Sequence, residues 1–191
     1  MQRVQPQRRI VNLETAITCS KDWQPKGINY RMNPANVACL AAAGIDCCVL
    51  ANNHVLDWGL PGLLETLAEL RGAGIATAGA GSNRAQAWAP AALSLPSGAR
   101  ILVFSFGTES SGIEPACAAT ESRPGVAFLP DLSDSTGERV AEAIRAHRRT
   151  GDVVIASVHW GGNWGYGISP AEVRFAHTLV EGGVDVFHGY S

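Results

Sequence analysis

Five residues of the 191-residue chain carry side chains that could do chemistry together: Glu14, Asn53, His54, Asp57 and His159. They supply carboxylate oxygen, amide oxygen and imidazole nitrogen, a mixture that suits Mn²⁺, Zn²⁺ or Fe bound for hydrolysis rather than a structural thiolate site. Two such ions, about 3.5–4 Å apart, generate hydroxide at neutral pH and clamp the oxygens of an in-line displacement. In that scheme Glu14, Asn53 and His159 are the metal ligands. His54, with Asp57 close by in sequence, is left to act as general acid toward a leaving oxygen. The expected cofactor is one or two divalent ions.

Chemistry at these positions needs elements that deliver them to one place. Residues 45–50 form a short apolar run of the kind that makes a buried strand, and Leu63, Leu64, Leu67 and Leu70 within residues 60–71 recur at helical spacing. Strand, polar turn, helix is the reading. It sets Asn53, His54 and Asp57 at the carboxyl end of a strand, where ligands collect in open α/β sheets. Residues 9–14 are a second strand candidate, running into Glu14. Residues 152–159 have the strongest strand pattern in the chain and end in His159. Three strands thus finish in a metal-competent side chain.

The remaining chain supplies the frame. Residues 15–33, with Pro25 and Gly27, read as a long loop, and residues 34–43 as a helix that starts at Pro34 and stops at Gly44. A strand at 75–78 completes a β-α-β-α-β rhythm, which argues for a sheet with crossover helices. Residues 91–95 and 101–106 form a hairpin across Pro96-Ser97-Gly98, which makes the sheets mixed. Residues 107–130 have no period and read as a loop bordering the site. Helices are expected at 134–148, with His147 on the surface, and at 170–181, before a last strand beginning at 184–188. The glycines and aromatics of residues 160–167 suit a closely wrapped backbone. Gly79-Ala80-Gly81-Ser82-Asn83 reads as a plain turn: the Lys-Ser/Thr pair of a phosphate loop is absent and Arg84 stands in the third glycine's place.

Composition narrows the partners. A formal charge of -2 and 17% charged residues give no reason to expect nucleic acid or an anionic membrane, both of which need clustered Lys and Arg. The basic cluster at residues 3–9 reads as a solvated end. The five cysteines include no Cys-x-x-Cys pair, and Cys47 and Cys48 point to opposite faces of one strand, so reduced buried thiols are expected. No run approaches the roughly 18 apolar residues of a membrane span. As written, the chain is expected to be one soluble, cytoplasmic domain over residues 1–191 without a membrane anchor.

The segments Asn12-Leu13-Glu14-Thr15, Ala51-Asn52-Asn53-His54 through Asp57 and Gly59, His159-Trp160-Gly161 and residues 183–189 resemble the successive motifs of the CapA family. This is the capsule or poly-gamma-glutamate synthesis family, related to calcineurin-like metallophosphoesterases. The resemblance covers nearly the whole chain, and its Asn-Asn-His-x-x-Asp-x-Gly block is quite specific. It implies a four-layer α/β/β/α sandwich with mixed sheets and a dinuclear site at the strand ends. In that picture Glu14 resembles the family's bridging or second-motif acid, Asn53 its metal-ligand amide, His54 the catalytic imidazole and His159 a metal-ligand histidine.

Three departures accompany the resemblance. No Gly-Asp metal-binding motif precedes Glu14. Tyr190 stands where the family has a metal-ligand histidine, and His188, just before it, is expected on the other face of the strand. The family also continues with further strands. The chain is therefore expected to be a CapA-like domain incomplete at both ends, with self-association through unpaired edges and weak or single-metal binding. A missing upstream segment would allow association with the cell envelope.

The functional expectation is a metal-dependent, phosphoesterase-type hydrolase acting on a phosphoester or an anionic polymer. The alternative is a truncated or degenerate, non-catalytic CapA-like domain that binds a polymer or a protein partner. A nucleotide-binding domain using residues 79–83 ranks last.

Overall fold

The computed structural model describes residues 5–164 and 167–191. Arg3 of the basic cluster and Gly165 and Tyr166 of the glycine-aromatic segment lie outside the described residues. Within the cluster, Arg8 is half-buried and ion-paired with Asp46 at 3.6 Å, whereas residues 5–7 and Arg9 are exposed. Within the segment, Trp164 stands 95% exposed and wraps nothing.

The chain begins with β1 (Ile10–Asn12). Residues 15–33 are not a plain loop but hold two short parallel strands, β2 (Ala16–Ile17) and β3 (Arg31–Met32). Their anchor is distant in sequence: the Thr66 hydroxyl accepts the Ile17 N–H at 2.9 Å and donates to the Gly62 carbonyl at 2.7 Å. The helix expected at 34–43 is split into a 3-10 turn, Pro34–Asn36, and α1 (Ala38–Ala42), which stops where Gly44 takes φ 67°. β4 (Cys47–Val49), α2 (Gly59–Gly72) and β5 (Ala76–Ala78) then follow the predicted alternation.

The stretch read as a plain turn holds β6 (Ala80–Gly81), and Asn83 caps α3 (Arg84–Trp88) by accepting the Gln86 N–H. The hairpin is β7 (Ala91–Ser94) and β8 (Arg100–Thr108). Residues 107–130 contain 3-10 turns, β9 (Gly125–Val126) and β10 (Phe128–Leu129), where a structureless loop was expected. Both strands are two residues long, too short to show a period. α4 (Asp134–His147), β11 (Val153–His159), α5 (Pro170–Glu181) and β12 (Val186–Tyr190) complete the chain. α5 begins with a capping box between Ser169 and Glu172.

Two principal sheets result. One is parallel, in the order β1-β4-β5; the other runs β10-β8-β11-β12 in parallel, with β7 antiparallel against β8. Alternation along each strand sorts the layers. Leu102, Phe104 and Phe106 of β8 and Val154, Ala156 and Val158 of β11 face outward onto Val140 and Ile144 of α4 and Phe175 and Leu179 of α5. Cys48 and Leu50 turn toward Leu63 and Leu70 of α2. Cys47, Val49 and Ala78 of the first sheet meet Ala91, Leu93 and Val103 of the second in a layer between the sheets. The architecture is an α/β/β/α sandwich, and Cys47 and Cys48 occupy its two opposite faces as the strand reading requires.

Small residues let the sheets meet near the rim. A Cβ on Gly79 would lie 2.6 Å from Ser105 Oγ and 2.8 Å from Ala51 Cβ, and one on Gly107 would lie 2.7 Å from the Ala51 carbonyl oxygen. The carboxyl ends of β4 and β8 therefore touch. The opposite ends are pinned by Arg100 at the start of β8, which pairs with the buried Asp152 that leads into β11. The register across the second sheet aligns Ser105 with Ser157 and His188, and Gly107 with His159 and Tyr190. His188 and Tyr190 are two positions apart and share a face, stacked with ring centroids 5.0 Å apart. The expectation that His188 points to the opposite face is corrected by this alternation.

Candidate metal centre

The rim is assembled by hydrogen bonds between strand ends. Asn52, 2% exposed, donates from Nδ2 to Asn12 Oδ1 at 3.0 Å and to the Leu13 carbonyl at 2.9 Å, and its Oδ1 accepts the His54 N–H at 3.1 Å. One amide thus staples the end of β1 to the turn after β4. Asn12 in turn donates to Glu14 Oε2 at 2.9 Å, which directs that carboxylate over the rim. Asn53 Oδ1 lies 3.2 Å from His159 Nε2, and Glu14 Oε1 lies 4.0 Å from the same nitrogen. Glu14, Asn53 and His159, expected as a ligand set, are brought together from three strand ends.

His54 and Asp57 form a separate pair beside them. His54 Nδ1 bonds Asp57 Oδ2 at 2.7 Å, the natural arrangement being an Nδ1–H donating to the carboxylate. Nε2 is then the nitrogen that takes up or gives a proton. Asp57 is fully buried and receives the Tyr30 backbone N–H on the same oxygen at 2.6 Å, while Lys26 pairs with its other oxygen. It lies behind His54, where it orients the ring. The Tyr30 ring packs against His54 with centroids 4.2 Å apart. Lys26 also donates to the Asn53 carbonyl. Lys26 and Tyr30 were not read as site residues, because nothing local in residues 15–33 marks them. They reach the rim through β2 and β3, whose anchor is Thr66.

His159 is the last residue of β11 and is 1% exposed. Its carbonyl is held by Ser111 Oγ at 3.0 Å and Thr108 Oγ1 at 3.3 Å, so the 3-10 turn after β8 fixes the strand end. Burial, with nearby His54 adding to it, pushes the imidazole down to about 4. At neutral pH the ring is uncharged and one nitrogen offers a lone pair. Nδ1 is buried and, among the described residues, has no hydrogen-bond partner.

Tyr190 flanks this ring, with centroids 4.8 Å apart. Burial pushes its phenol well above the ordinary value, so the hydroxyl stays protonated. Ser157 and Ser105 approach that hydroxyl and oppose the rise, yet Tyr190 Oη and Ser105 Oγ both lack a partner of good geometry among the described residues. A neutral phenol is a poor ligand for a divalent ion.

The donor set fits one ion better than two. Glu14, Asn53 and His159 offer carboxylate, amide oxygen and neutral imidazole about Nε2 of the ring, while the unpaired Nδ1 lies on the other side of it. Among the described residues, however, no group of three or more His, Cys, Asp or Glu side chains is placed to hold a metal ion. Asp57, the buried carboxylate beside the rim, is already committed to His54, Lys26 and Tyr30. The glycine stretch at 79–83 offers no phosphate cradle: Gly81 pairs with Gly125, and its Cβ position would fall 2.6 Å from the Ala87 nitrogen.

A layered α/β/β/α protein with its polar residues gathered at the carboxyl ends of parallel strands defines the class to which this chain belongs. Within that class, the chain is a member of the bacterial capsule synthesis protein family PGA_cap, whose profile matches residues 4–191. It is 42% identical over 184 residues to a probable polyglutamine synthesis accessory protein of Mycobacterium tuberculosis, covering 95% of this chain and 48% of that protein. It is 26% identical over 181 residues to the PGA biosynthesis protein CapA of Bacillus subtilis, covering 94% and 45%. To the capsule biosynthesis protein CapA of Bacillus anthracis it is 25% identical over 166 residues, covering 86% and 39%. The chain spans about half the length, or less, of these relatives. Among the described residues no helix is long and apolar enough to cross a membrane.

Proposed function

We propose that this CapA-like chain carries a metal-dependent, phosphoesterase-type hydrolytic site serving the synthesis of a capsule or poly-gamma-glutamate polymer. The observation that carries the reading is the convergence of Asn53 Oδ1 and Glu14 Oε1 on His159 Nε2, beside an imidazole oriented by a buried carboxylate. A bound Mn²⁺, Zn²⁺ or Fe ion would supply Lewis acidity and a hydroxide at neutral pH. Asn53, Glu14 and His159 would hold that ion. His54 gives a proton from Nε2 to the leaving oxygen, and Asp57 keeps the ring in place. Lys26 balances the buried charge of Asp57 and fixes the Asn53 backbone. The polymer role is supported by family membership and by the names of the relatives.

Calorimetric titration of the purified chain with Mn²⁺ and Zn²⁺ tests the reading, with Asn53→Ala and His159→Ala as controls. One saturable site lost in both variants is expected. No binding by a folded chain would overturn it.

A second reading, a non-catalytic domain that binds a polymer or partner, is favoured by the protonated Tyr190 packed against His159. Metal binding that appears only in Tyr190→His would support this second reading.

A further inference from the structure

A cavity of about 540 Å³ opens beside Asn53, between residues 22–26, the start of α2 and residues 112–124. Asn52 and Asn53 line it along with Leu56, Leu60, Ile113 and Pro124, so its polar end belongs to the rim and much of its wall is apolar. Such a volume, apolar with a few placed polar groups, is that of a small-ligand site. The candidate metal centre alone does not account for it.

Four charged residues line it: Asp22, Lys26, Glu114 and Arg123. Lys26 is already used by Asp57 and the Asn53 carbonyl. Arg123 gives one N–H to the Ala118 carbonyl at 3.0 Å and, among the described residues, forms no ion pair. It therefore keeps guanidinium donors for a ligand anion. Lys26, Cys117 and Arg123 line the same space. Asp22 and Glu114 add negative charge to the wall, and this disfavours a ligand with a carboxylate on every unit along its length.

We propose that this cavity receives a single end unit of an acidic, amide-linked chain, with Arg123 binding its carboxylate and the rest of the unit directed toward Asn53. Arg123 is thus a specificity residue, and engagement is terminal rather than along the polymer. The choice of an acidic, amide-linked chain as the ligand rests on the proposed polymer role; the capture of a carboxylate by Arg123 in this cavity does not.

The test is calorimetry on the full, metal-free chain with three probes: a γ-linked glutamate dimer, a γ-linked glutamate decamer and inorganic phosphate. Dimer and decamer are expected to bind once per chain with affinities within about threefold of each other, and phosphate not to saturate. Arg123→Gln should weaken both peptides about tenfold or more, the cost of one charge-assisted contact, while Arg145→Gln on the surface leaves them unchanged. Mn²⁺ titration of Arg123→Gln should match the parent chain, so loss of metal binding and loss of peptide binding are separate failures. A decamer bound far more tightly than the dimer with steep salt dependence, phosphate bound as well as the dimer, indifference to Arg123→Gln, or no peptide binding would each overturn the proposal.

Discussion

Asn53 Oδ1 lies 3.2 Å from His159 Nε2, across 106 positions of sequence. One residue sits in the turn after β4 of the first sheet and the other ends β11 of the second. Their approach depends on the two sheets facing each other with small residues between their carboxyl ends. Anything that moves one sheet against the other should reach this pair.

Gly79 is the most direct lever. It has φ 90°, and a methyl there would sit 2.6 Å from Ser105 Oγ and 2.8 Å from Ala51 Cβ. Gly79→Ala should cost about 2–4 kcal/mol, from overpacking plus an unfavourable backbone region. Urea unfolding would measure it, and metal titration should show weaker binding in whatever fraction remains folded.

Asn52 should matter to the site without touching a ligand ion. Asn52→Ala removes three hydrogen bonds and leaves the Asn12 amide oxygen, the Leu13 carbonyl and the His54 N–H without this partner. A loss of about 2–3 kcal/mol is expected. Asn52→Asp should fail to rescue, because the carboxylate cannot donate to Asn12 or Leu13. Chemical denaturation of the two variants checks both statements.

Asp57→Ala should unfold the wall of the site locally. It strips acceptors from His54 Nδ1, the Tyr30 N–H and Lys26 at once. The expected cost is about 3 kcal/mol, discounted for the partial exposure of Lys26. Faster amide exchange at Tyr30, with β11 unchanged, is the signature to look for.

Acid sensitivity has a source remote from the site. The hydroxyls of Ser133 and Thr136 and the Ser133 N–H all donate to Asp131 at the start of α4, and hold its carboxyl down to about 2. Its folded value is below the unfolded one of about 3.8, so the unfolded chain binds the proton more readily between them. Stability from this group is present above roughly pH 4 and is lost as the pH falls toward 2. Asp131→Asn should flatten that part of an acid-unfolding curve followed by circular dichroism.

Thiol labelling should divide the cysteines. Cys47 and Cys48 are fully buried, and burial pushes both up to about 12, whereas Cys19 and Cys39 are exposed. Alkylation at pH 8 should modify Cys19 and Cys39 promptly and reach Cys47 and Cys48 only in denaturant. Mass spectrometry of the labelled peptides reads the outcome.

Sequence alone was sufficient wherever a physical signal is local. The leucines at helical spacing in α2, the apolar run of β11 and the Ser-Pro-x-Glu start of α5 each state their own conformation, because periodicity and capping act within one or two turns. Glu14, Asn53, His54, Asp57 and His159 could be named for the same reason, since each falls in a polar stretch at the end of an apolar one. The chain could not disclose how those stretches meet. β2, β3, β9 and β10 are two residues long and exist through partners far away in sequence, as Ile17 does through Thr66. Lys26 and Tyr30 join the site only once β2 and β3 are in place. Tyr190 turns out to share a face with His188 and to pack against His159 because strand register decides facing. Local sequence determined which side chains stand at the strand ends; packing of the two sheets decided which of them share a site, because the contacts that fix that packing join residues tens of positions apart.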